Sequence, residues 1–279
     1  DDKRGVALIV HTMALLKQIK FKDDAQVTVL INADEEIGSR GSRHLITQLG
    51  AEHDATFSLE PSLASSDKLS LATAGIGSVT LNVTGKASHA GGKKEKGLNA
   101  LYEMAHQILQ MRDLSDPSIG LKMNWTVAKA GEVRNVIPAE ASAYADVRVL
   151  RVSDYDTLEP KVLARVKNQL IPETKVEVKF TRGRPPLELT PASAALAKHA
   201  QGVYAELGKQ LIIVDKASGG GTDAAYAALK TKAPVIESFG VQGAGSHTAE
   251  QEHIMLDSIA PRLYLLTRMI MDFAQGKTQ

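Results

Sequence analysis

The sequence contains no cysteine among its 279 residues, and this absence removes two classes of structural support. A chain without thiols forms no disulfide. It also has no thiolate ligand, so any metal site must be built from His, Asp and Glu side chains. The absence of cysteine is compatible with an oxidising compartment but does not require one. We therefore look for metal ligands only among imidazole and carboxylate side chains.

The sequence also lacks an excess of charge of one sign and a long uninterrupted apolar run. Its formal net charge is +1, which gives no electrostatic case for a nucleic-acid partner. Residues 254–274 form the most apolar stretch, and four charged side chains interrupt it: Asp257, Arg262, Arg268 and Asp272. Charges at these intervals are typical of an amphipathic helix packed on a core. We expect neither nucleic acid nor a membrane as a partner.

What the sequence does contain predicts an α/β protein with two domains. Predicted helices and strands alternate in residues 1–74 and 186–279, which favours a mostly parallel sheet covered by helices. Residues 75–185 instead give the order β-α-β-β-α-β with alternating apolar and polar strands, as in a small ferredoxin-like α+β domain. We therefore predict a catalytic domain that is interrupted by an inserted domain.

Several local predictions bear on the position of the site. The apolar run at residues 27–31 predicts a strand, and residues 39–49 predict a helix with Gly50 as its C-cap. A further helix is predicted at residues 153–169, with Ser153 as its N-cap. Residues 222–229 also have helical spacing.

Two adjacent carboxylates, Glu35 and Glu36, follow the predicted strand directly. Open α/β sheets build their sites at the C-terminal ends of strands, where neighbouring side chains can point in different directions. One carboxylate of such a pair can bind a metal while the other transfers protons. A solvated acidic turn is the common alternative reading of a Glu-Glu pair.

The candidate metal ligands are Asp1, Glu36, Glu60 and His247. Glu60 ends a predicted strand, and His247 lies in a loop whose glycines would let a ligand approach. One sheet would bring such strand ends to the same edge. Carboxylates with an imidazole suit zinc, with manganese or cobalt as substitutes. Taken singly, Asp1 reads equally as a terminal acid and Glu60 as a turn carboxylate.

Six residues are candidates for substrate binding: Asn135, Arg148, Arg184, Gly220, Gly221 and Thr222. The arginine fork matches the two oxygens of a carboxylate, although surface arginines at domain edges are an equal alternative. The glycine-rich stretch before the helix at 222–229 could cradle a phosphate, but it lacks the lysine of a P-loop. We expect its backbone amides and Thr222 to line a pocket that binds a carboxylate.

Nine segments, in the order they occur, carry a further signal: DDKRG, NADEEIGSRGSR, SLEPS, GKASHAGG, NWTVAKAGEVRNVIPA, ADVRV, TRGRP, SGGGTDAAYAAL and VIESFG. In this order and spacing they resemble glutamate carboxypeptidases of the carboxypeptidase G type. Those enzymes are di-zinc metallopeptidases, a group that also includes the ArgE and DapE deacylases and aminoacylase. The resemblance implies a zinc-dependent hydrolase that removes a C-terminal glutamate from folate-like or N-acyl substrates.

The resemblance also implies roles for matching positions. Asp1 is similar to the carboxylate that bridges two zinc ions, and Glu60 to a ligand of one of them. Glu36 and His247 resemble ligands of the other zinc, while Glu35 resembles the general base. His89, which otherwise reads as an ordinary loop histidine, resembles a residue that reaches the partner's site and stabilises the oxyanion. A homodimer through the inserted domain is implied.

Family members supply another zinc ligand from a His-x-Asp motif. This sequence contains no such motif. We therefore expect either a longer protein or a fragment that does not work alone. The resemblance favours a periplasmic or secreted protein, and a cytoplasmic one stays open. The alternatives to a glutamate carboxypeptidase are an N-acyl amino acid deacylase and an inactive dimerisation fragment.

Overall fold

The computed structural model describes residues 2–23, 26–92, 94–217 and 219–278. The chain divides into two compact units, of which unit 1 comprises Asp1–Thr73 with Leu187–Gln279 and unit 2 comprises Ala74–Pro186. These boundaries fall one residue from the predicted ones. The catalytic role predicted for unit 1 and the dimerising role predicted for unit 2 stay predictions.

The helices and strands are numbered in chain order. The helices are α1 Lys3–Gln18, α2 Arg43–Glu52, α3 Ala100–Gln110, α4 Val152–Arg165, α5 Pro191–Ala205, α6 Ala224–Ala228 and α7 Ile259–Ala274. The strands are β1 Thr56–Phe57, β2 Ser62–Leu63, β3 Lys68–Ser70, β4 Gly75–Thr84, β5 Ser88–His89, β6 Lys122–Ala130, β7 Val136–Ile137, β8 Glu140–Val149, β9 Lys175–Arg182, β10 Ile212–Val214, β11 Val235–Ile236, β12 Gln242–Ala244 and β13 His253–Ile254.

Unit 1 is built from short, mostly parallel strands with helices around them. β1 pairs with β11, β3 with β10, and β2 with β12, each in parallel, while β13 joins β12 antiparallel. Its main core joins α1, α5 and α7 through buried side chains such as Leu8, Tyr204 and Leu265. Because parallel strands are buried by helices, this arrangement confirms the predicted α/β class.

Unit 2 is an antiparallel sheet with the strand order β6-β8-β4-β9. Residues along β4 alternate between buried and more exposed positions, so that Val79 and Leu81 face the core. Buried side chains of α4, including Leu158 and Val162, pack into the same core as Val79. The succession β-α-β-β-α-β is that of a ferredoxin-like domain, as the alternating pattern predicts.

The strand predicted at residues 27–31 is wrong for the part of the chain that the structure describes. No described residue forms a β-ladder with this segment. Val29 and Ile31 are β-branched residues typical of strands, but both are exposed. A strand is defined by its partner, and an apolar run alone does not supply one. The turn that carries Glu35 and Glu36 is therefore not held by a sheet hydrogen bond immediately before it.

The predicted helix caps are also partly wrong. α2 starts at Arg43 rather than at residue 39 and continues through Gly50. A Cβ on Gly50 would lie 2.2 Å from the carbonyl oxygen of Ala227, so this glycine permits a close approach of α2 to α6. In unit 2, Arg151 rather than Ser153 is the N-cap of α4, where Asp154 accepts a hydrogen bond from the Arg151 amide.

The apolar stretch near the C-terminus forms α7, which buries Leu265, Leu266 and Met269 in the core of unit 1. The sequence pattern places its start near residue 255, whereas the helix begins at Ile259. Within the described residues, no helix is both long enough and apolar enough to cross a membrane.

One fully buried arginine fastens α7 to the strands of unit 1. The Arg262 Nε donates to Asp67 at 2.9 Å, and its guanidinium also donates to the carbonyls of Ser238 at 2.8 Å and Lys68 at 2.9 Å. The Tyr204 hydroxyl donates to the other oxygen of Asp67 at 2.5 Å. A buried charge of this kind is tolerated because its donors are matched by a carboxylate and backbone oxygens.

We expect Arg262→Met to destabilise unit 1 strongly. The substitution leaves Asp67 without its cationic partner and strips donors from two carbonyls, so the free energy of unfolding should fall by about 3–5 kcal/mol. Arg268→Met is the matched control, since Arg268 on the same helix is partly exposed and its partner Asp272 keeps His199 at 2.9 Å. The control should cost about 1 kcal/mol or less in urea unfolding. Equal losses for the two variants would contradict this interpretation.

Candidate functional site

A tight turn in unit 1 presents the two adjacent carboxylates. Glu35–Ile37 forms a single 3₁₀ turn, closed by a hydrogen bond from the Gly38 amide to the Glu35 carbonyl at 2.9 Å. Gly38 has φ 86° and Ser39 has φ 52°, so the chain passes through the left-handed region as it leaves the turn. Glycine adopts this conformation readily, whereas a serine there is uncommon and must be held by its surroundings.

Asp34 holds the turn together from inside. Its carboxylate accepts hydrogen bonds from the Gly41 amide at 2.7 Å and from the Ser42 hydroxyl at 2.5 Å. The Ser42 hydroxyl and the Gly41 amide are the main reasons why the pKa of Asp34 lies well below its usual value, at about 2. An ionised Asp34 therefore ties the residues after the turn to the residue before it.

Asp223 contacts the same turn from α6. Its two carboxylate oxygens accept hydrogen bonds from the Asn32 amide, at 2.7 Å, and from the Ser39 hydroxyl. The Tyr226 hydroxyl donates to the Gly38 carbonyl at 3.2 Å. Sequence reasoning missed Asn32, Ser39 and Asp223. The available signal was their position inside the segments NADEEIGSRGSR and SGGGTDAAYAAL, which carry the family resemblance.

Glu35, Glu36 and Glu60 line one cavity of unit 1, together with Asp2 and Asp223. The cavity has a volume of about 820 Å³. The structure thus brings together three of the residues that the sequence singles out, from the turn and from the segment after β1. This collection of carboxylates makes the cavity strongly acidic.

Glu60 is affected both by its burial and by the neighbouring carboxylates. Burial is the main reason why its pKa is raised to about 8, and the charges of Glu237, Glu35, Asp2 and Glu36 add to this effect. Like charges and low solvation both disfavour the ionised form of a carboxyl group. A cation placed among these oxygens would reverse that tendency, so the donor chemistry fits a metal ion.

His247 lies next to the acidic turn. Its Nε2 is 3.4 Å from a carboxylate oxygen of Glu36, although the two residues are more than 200 positions apart in the chain. His247 has φ 67°, which is uncommon for a residue with a side chain. A strained backbone conformation at a loop histidine is a frequent feature of functional sites.

Asp1, the predicted bridging carboxylate, lies outside the described residues. Among those that are described, no three His, Asp or Glu side chains converge closely enough to hold a metal ion by themselves. The contact between Glu36 and His247 supplies one pair of donors, and Glu60 lines the neighbouring cavity. The predicted roles of these residues as ligands stay predictions.

The glycine-rich segment before α6 contains one buried side chain and two glycines that are at least partly exposed, and its predicted role in substrate binding stays a prediction. The Thr222 side chain is buried, and its hydroxyl donates to the carboxylate of Glu237 at 2.6 Å and accepts the Ala224 amide. Its hydroxyl is therefore engaged inside unit 1, whereas Gly220 is exposed and Gly221 is half-buried. α6 has only five residues, which is too short to provide a substantial helix dipole for an anion.

Two predicted site residues, His89 and Asn135, lie side by side in unit 2. β5 carries His89 and pairs with β7, and the Ala90 amide donates to the Asn135 carbonyl at 2.9 Å. The Gly91 amide donates to the His89 Nδ1 at 3.1 Å. Because Nδ1 accepts this bond, the neutral ring carries its proton on Nε2, which is the donor that an oxyanion would need.

The two predicted substrate-binding arginines also belong to unit 2. Arg148 on β8 already forms a two-pronged ion pair with Asp146, at 2.9 and 3.0 Å. A substrate carboxylate would have to compete with this internal partner. Arg184 is buried and follows β9 closely in sequence. The roles of both arginines in substrate binding stay predictions.

Comparison with known proteins identifies the class. The pattern of the peptidase family M20/M25/M40 matches residues 1–272. The chain therefore belongs to this peptidase family, as the resemblance read from the sequence indicates. Carboxypeptidase G2 from Pseudomonas sp. (strain RS-16) is 46% identical over 277 residues, which are 99% of this chain and 66% of that protein.

Further relatives agree with this assignment. A p-aminobenzoyl-glutamate hydrolase homolog of Haemophilus influenzae is 38% identical over 71 residues, 25% of this chain and 17% of that protein. Aminopeptidase PepT from Bacillus cereus has a TM-score of 0.82 at 21% identity, over 98% of this chain and 71% of that one. A dinuclear metal-binding M20 peptidase of Bacillus subtilis has a TM-score of 0.69 at 16% identity, over 96% and 71%. The two structures support the fold alone.

We expect Glu60 to make the metal-stripped protein less stable as the pH rises. The raised pKa means that the unfolded chain gives up this proton near pH 4.5 whereas the folded chain keeps it to about pH 8. The contribution of Glu60 to the free energy of unfolding is therefore most favourable below about pH 4.5 and declines as the pH rises to about 8. Urea unfolding with a chelator present, at a series of pH values, measures this decline.

The Glu60→Gln variant should lack this part of the pH dependence, because a carboxamide does not titrate. Glu250→Gln is the control, since Glu250 is an exposed carboxylate of the same unit. If Glu60→Gln retains the whole decline between pH 4.5 and 8, Glu60 does not carry the raised pKa.

Proposed function

We propose that this chain is part of a zinc-dependent carboxypeptidase or amidase that hydrolyses the amide bond to a C-terminal glutamate. The observation that carries the proposal is that Glu35, Glu36 and Glu60 line one cavity, where the charges of Glu35 and Glu36 act on Glu60, with His247 against Glu36. Family membership and the relation to carboxypeptidase G2 support it. The chain spans 66% of the length of that relative, and we propose the hydrolytic activity for the protein of which this chain is part.

Zinc is the proposed cofactor because of the donor set. Glu36, Glu60 and His247 offer carboxylate oxygens and an imidazole, and the sequence offers no thiolate. Asp1 would complete the set, and the whole enzyme would hold two ions, with manganese or cobalt as substitutes. When bound, the metal would supply a Lewis acid that activates water and polarises the amide carbonyl. The dinuclear metal site named for the Bacillus subtilis peptidase is consistent with this proposal.

Glu35 is the proposed proton-transfer residue. It lines the acidic cavity together with Glu36. Because a 3₁₀ turn has three residues per turn, adjacent residues leave the backbone in different directions and can serve different functions. Glu35 would take a proton from the attacking water and return it to the leaving amine nitrogen. A carboxylate suits this exchange because it can hold the proton between the two steps.

The proposed substrates are acyl-glutamates, with folates first. The names of two relatives, carboxypeptidase G2 and the p-aminobenzoyl-glutamate hydrolase homolog, point to a C-terminal glutamate on an aromatic acyl group. Asn135, Arg148 and Arg184 stay candidates for binding the substrate. A second possibility is an N-acyl amino acid deacylase, favoured by the 39% identity of 66 residues to indole-3-acetyl-aspartic acid hydrolase.

We also propose that the protein is a homodimer joined through unit 2. The support is the exposed position of His89 in that unit and the orientation of its ring by the Gly91 amide. Its Nε2–H would donate to the oxyanion that forms in the partner's site. A fragment that only dimerises is the alternative from another class.

We expect Glu35→Gln to lower kcat for p-aminobenzoyl-glutamate by about 10²- to 10⁴-fold, because the variant loses the proton acceptor and keeps the shape. Zinc content should be unchanged, since Glu35 is not a proposed ligand. The measurement is hydrolysis of folate and p-aminobenzoyl-glutamate compared with N-acetylated amino acids, on the zinc-loaded chain.

The outcomes separate the alternatives. Faster cleavage of N-acetylated amino acids would favour the deacylase, and the absence of hydrolysis of every substrate by zinc-loaded protein would favour the inactive fragment. Full turnover by Glu35→Gln would remove Glu35 as the proton-transfer residue. Glu177→Gln is the matched control, because Glu177 is an exposed glutamate in β9 that pairs with Lys175.

The proposed exchange of His89 between protomers predicts complementation. A chain with His89→Ala co-expressed with a chain carrying Glu35→Gln would form mixed dimers in which one site has both residues. The mixture should then recover about a quarter of the unaltered activity, from random pairing of the two chains. Co-expression of His89→Ala with the double variant should recover none. A mixture no more active than its components would contradict the role of His89 in the partner's site.

A further inference from the structure

The position of the carboxylate turn in unit 1 needs a support other than a sheet. The residues before it, 27–31, pair with no described strand, and Ile37 and Glu36 on the turn itself are exposed. Several carboxylates line the same cavity, and like charges at this distance do not help to hold the turn. Something must therefore hold this turn at the level of its backbone.

We propose that Asp223 is a positioning residue that clamps the two ends of the turn carrying Glu35 and Glu36. One carboxylate oxygen accepts the Asn32 amide at 2.7 Å, where the chain enters the turn. The other accepts the Ser39 hydroxyl, where the chain leaves it. One side chain thus holds both ends of the stretch 32–39, across 191 and 184 positions of sequence.

Ser39 is well suited to be the exit point of this clamp. It is fully buried, and its φ of 52° is strained for a residue with a side chain. A charge-assisted hydrogen bond to a carboxylate is about twice as strong as a neutral one, which helps to hold such a conformation. The Asn32 amide in turn also contacts Ser42, so the clamp is joined to the start of α2.

α6 provides a rigid base for Asp223. The residues that follow it, Ala224 to Ala227, are buried, and Ala227 packs tightly against Gly50 of α2. The Tyr226 hydroxyl adds a third attachment, at the Gly38 carbonyl. Asp223 and Tyr226 therefore support the carboxylate turn from the side of α6, while the substrate-binding role expected of Gly220, Gly221 and Thr222 stays a prediction.

The inference rests on the proposed function only in that Glu35 and Glu36 are the acting carboxylates. Support of this kind, one step removed from the reacting groups, is commonly needed for both metal binding and turnover. Asp223→Asn tests it, because it retains the size of the side chain and one acceptor but loses the charge and the second acceptor. Asp215→Asn is the matched control, since Asp215 is exposed and lies in the same region of unit 1.

The first readout is hydrogen–deuterium exchange of the Gly38, Ser39 and Gly41 amides, each of which donates a hydrogen bond within the turn. Asp223→Asn should increase their exchange rates by about tenfold, while amides of α5 exchange as before. Asp215→Asn should change neither set. This readout needs no enzymatic activity, so it tests the positioning role of Asp223 even if the proposed hydrolysis is not found.

The second readout is the kinetics of the zinc-loaded protein with p-aminobenzoyl-glutamate. Misplaced carboxylates should lower kcat by about 10- to 100-fold with KM within about twofold. Turn amides that exchange no faster than in Asp215→Asn would overturn the inference, and so would an equal acceleration throughout unit 1. If Asp223→Asn does not fold, Ser39→Ala removes one of the two bonds, and faster exchange confined to the turn is again the expected result.

Discussion

The burial of several neighbouring carboxylates in unit 1 is the physical constraint that most strongly marks its candidate site. Burial and neighbouring negative charges raise the pKa of Glu60 to about 8, so these side chains are together at an energetic cost. Glu237, fully buried behind Thr222, adds to the same field, and burial raises its own pKa. A fold accepts such a cost where the charges have a use, and a cation is the natural partner for them.

Specific hydrogen bonds, and not a continuous sheet, hold the turn that carries Glu35 and Glu36. Asp34 closes the turn from inside, and Asp223 holds its ends from α6. The Arg262–Asp67 pair fastens α7 to the strands of the same unit. Unit 2 is organised differently, because long antiparallel strands with regularly alternating burial form one four-stranded sheet. Its contribution to the proposed function is the oriented ring of His89.

Much of the fold could be predicted because apolar periodicity reports local structure directly. The alternation along β4 and β8 and the helical spacing in α1, α5 and α7 were sufficient for the α/β class and for the ferredoxin-like unit. The strand at residues 27–31 was wrong because pairing depends on a partner that the pattern does not contain. Gly50 reads as a cap from sequence, but a tertiary contact with Ala227 decides its position.

The candidate site could be predicted only in part, and the roles of its residues stay predictions. Glu35, Glu36, Glu60 and His247 stand out in the sequence because carboxylates and an imidazole are typical metal ligands. Asp223 does not stand out, because its importance lies in contacts with residues 191 and 184 positions away. Thr222 is the reverse case: its motif indicates a ligand pocket, its hydroxyl donates to the buried carboxylate of Glu237, and its role in substrate binding stays a prediction.

The most direct test of the central claim is the zinc content of this chain after extensive dialysis, measured by elemental mass spectrometry. The unaltered protein should retain zinc, and Glu36→Gln, which weakens a proposed ligand beside His247, should retain less. Zinc that is absent from the unaltered chain, or equally abundant in Glu36→Gln, would contradict the view that these residues form a metal site.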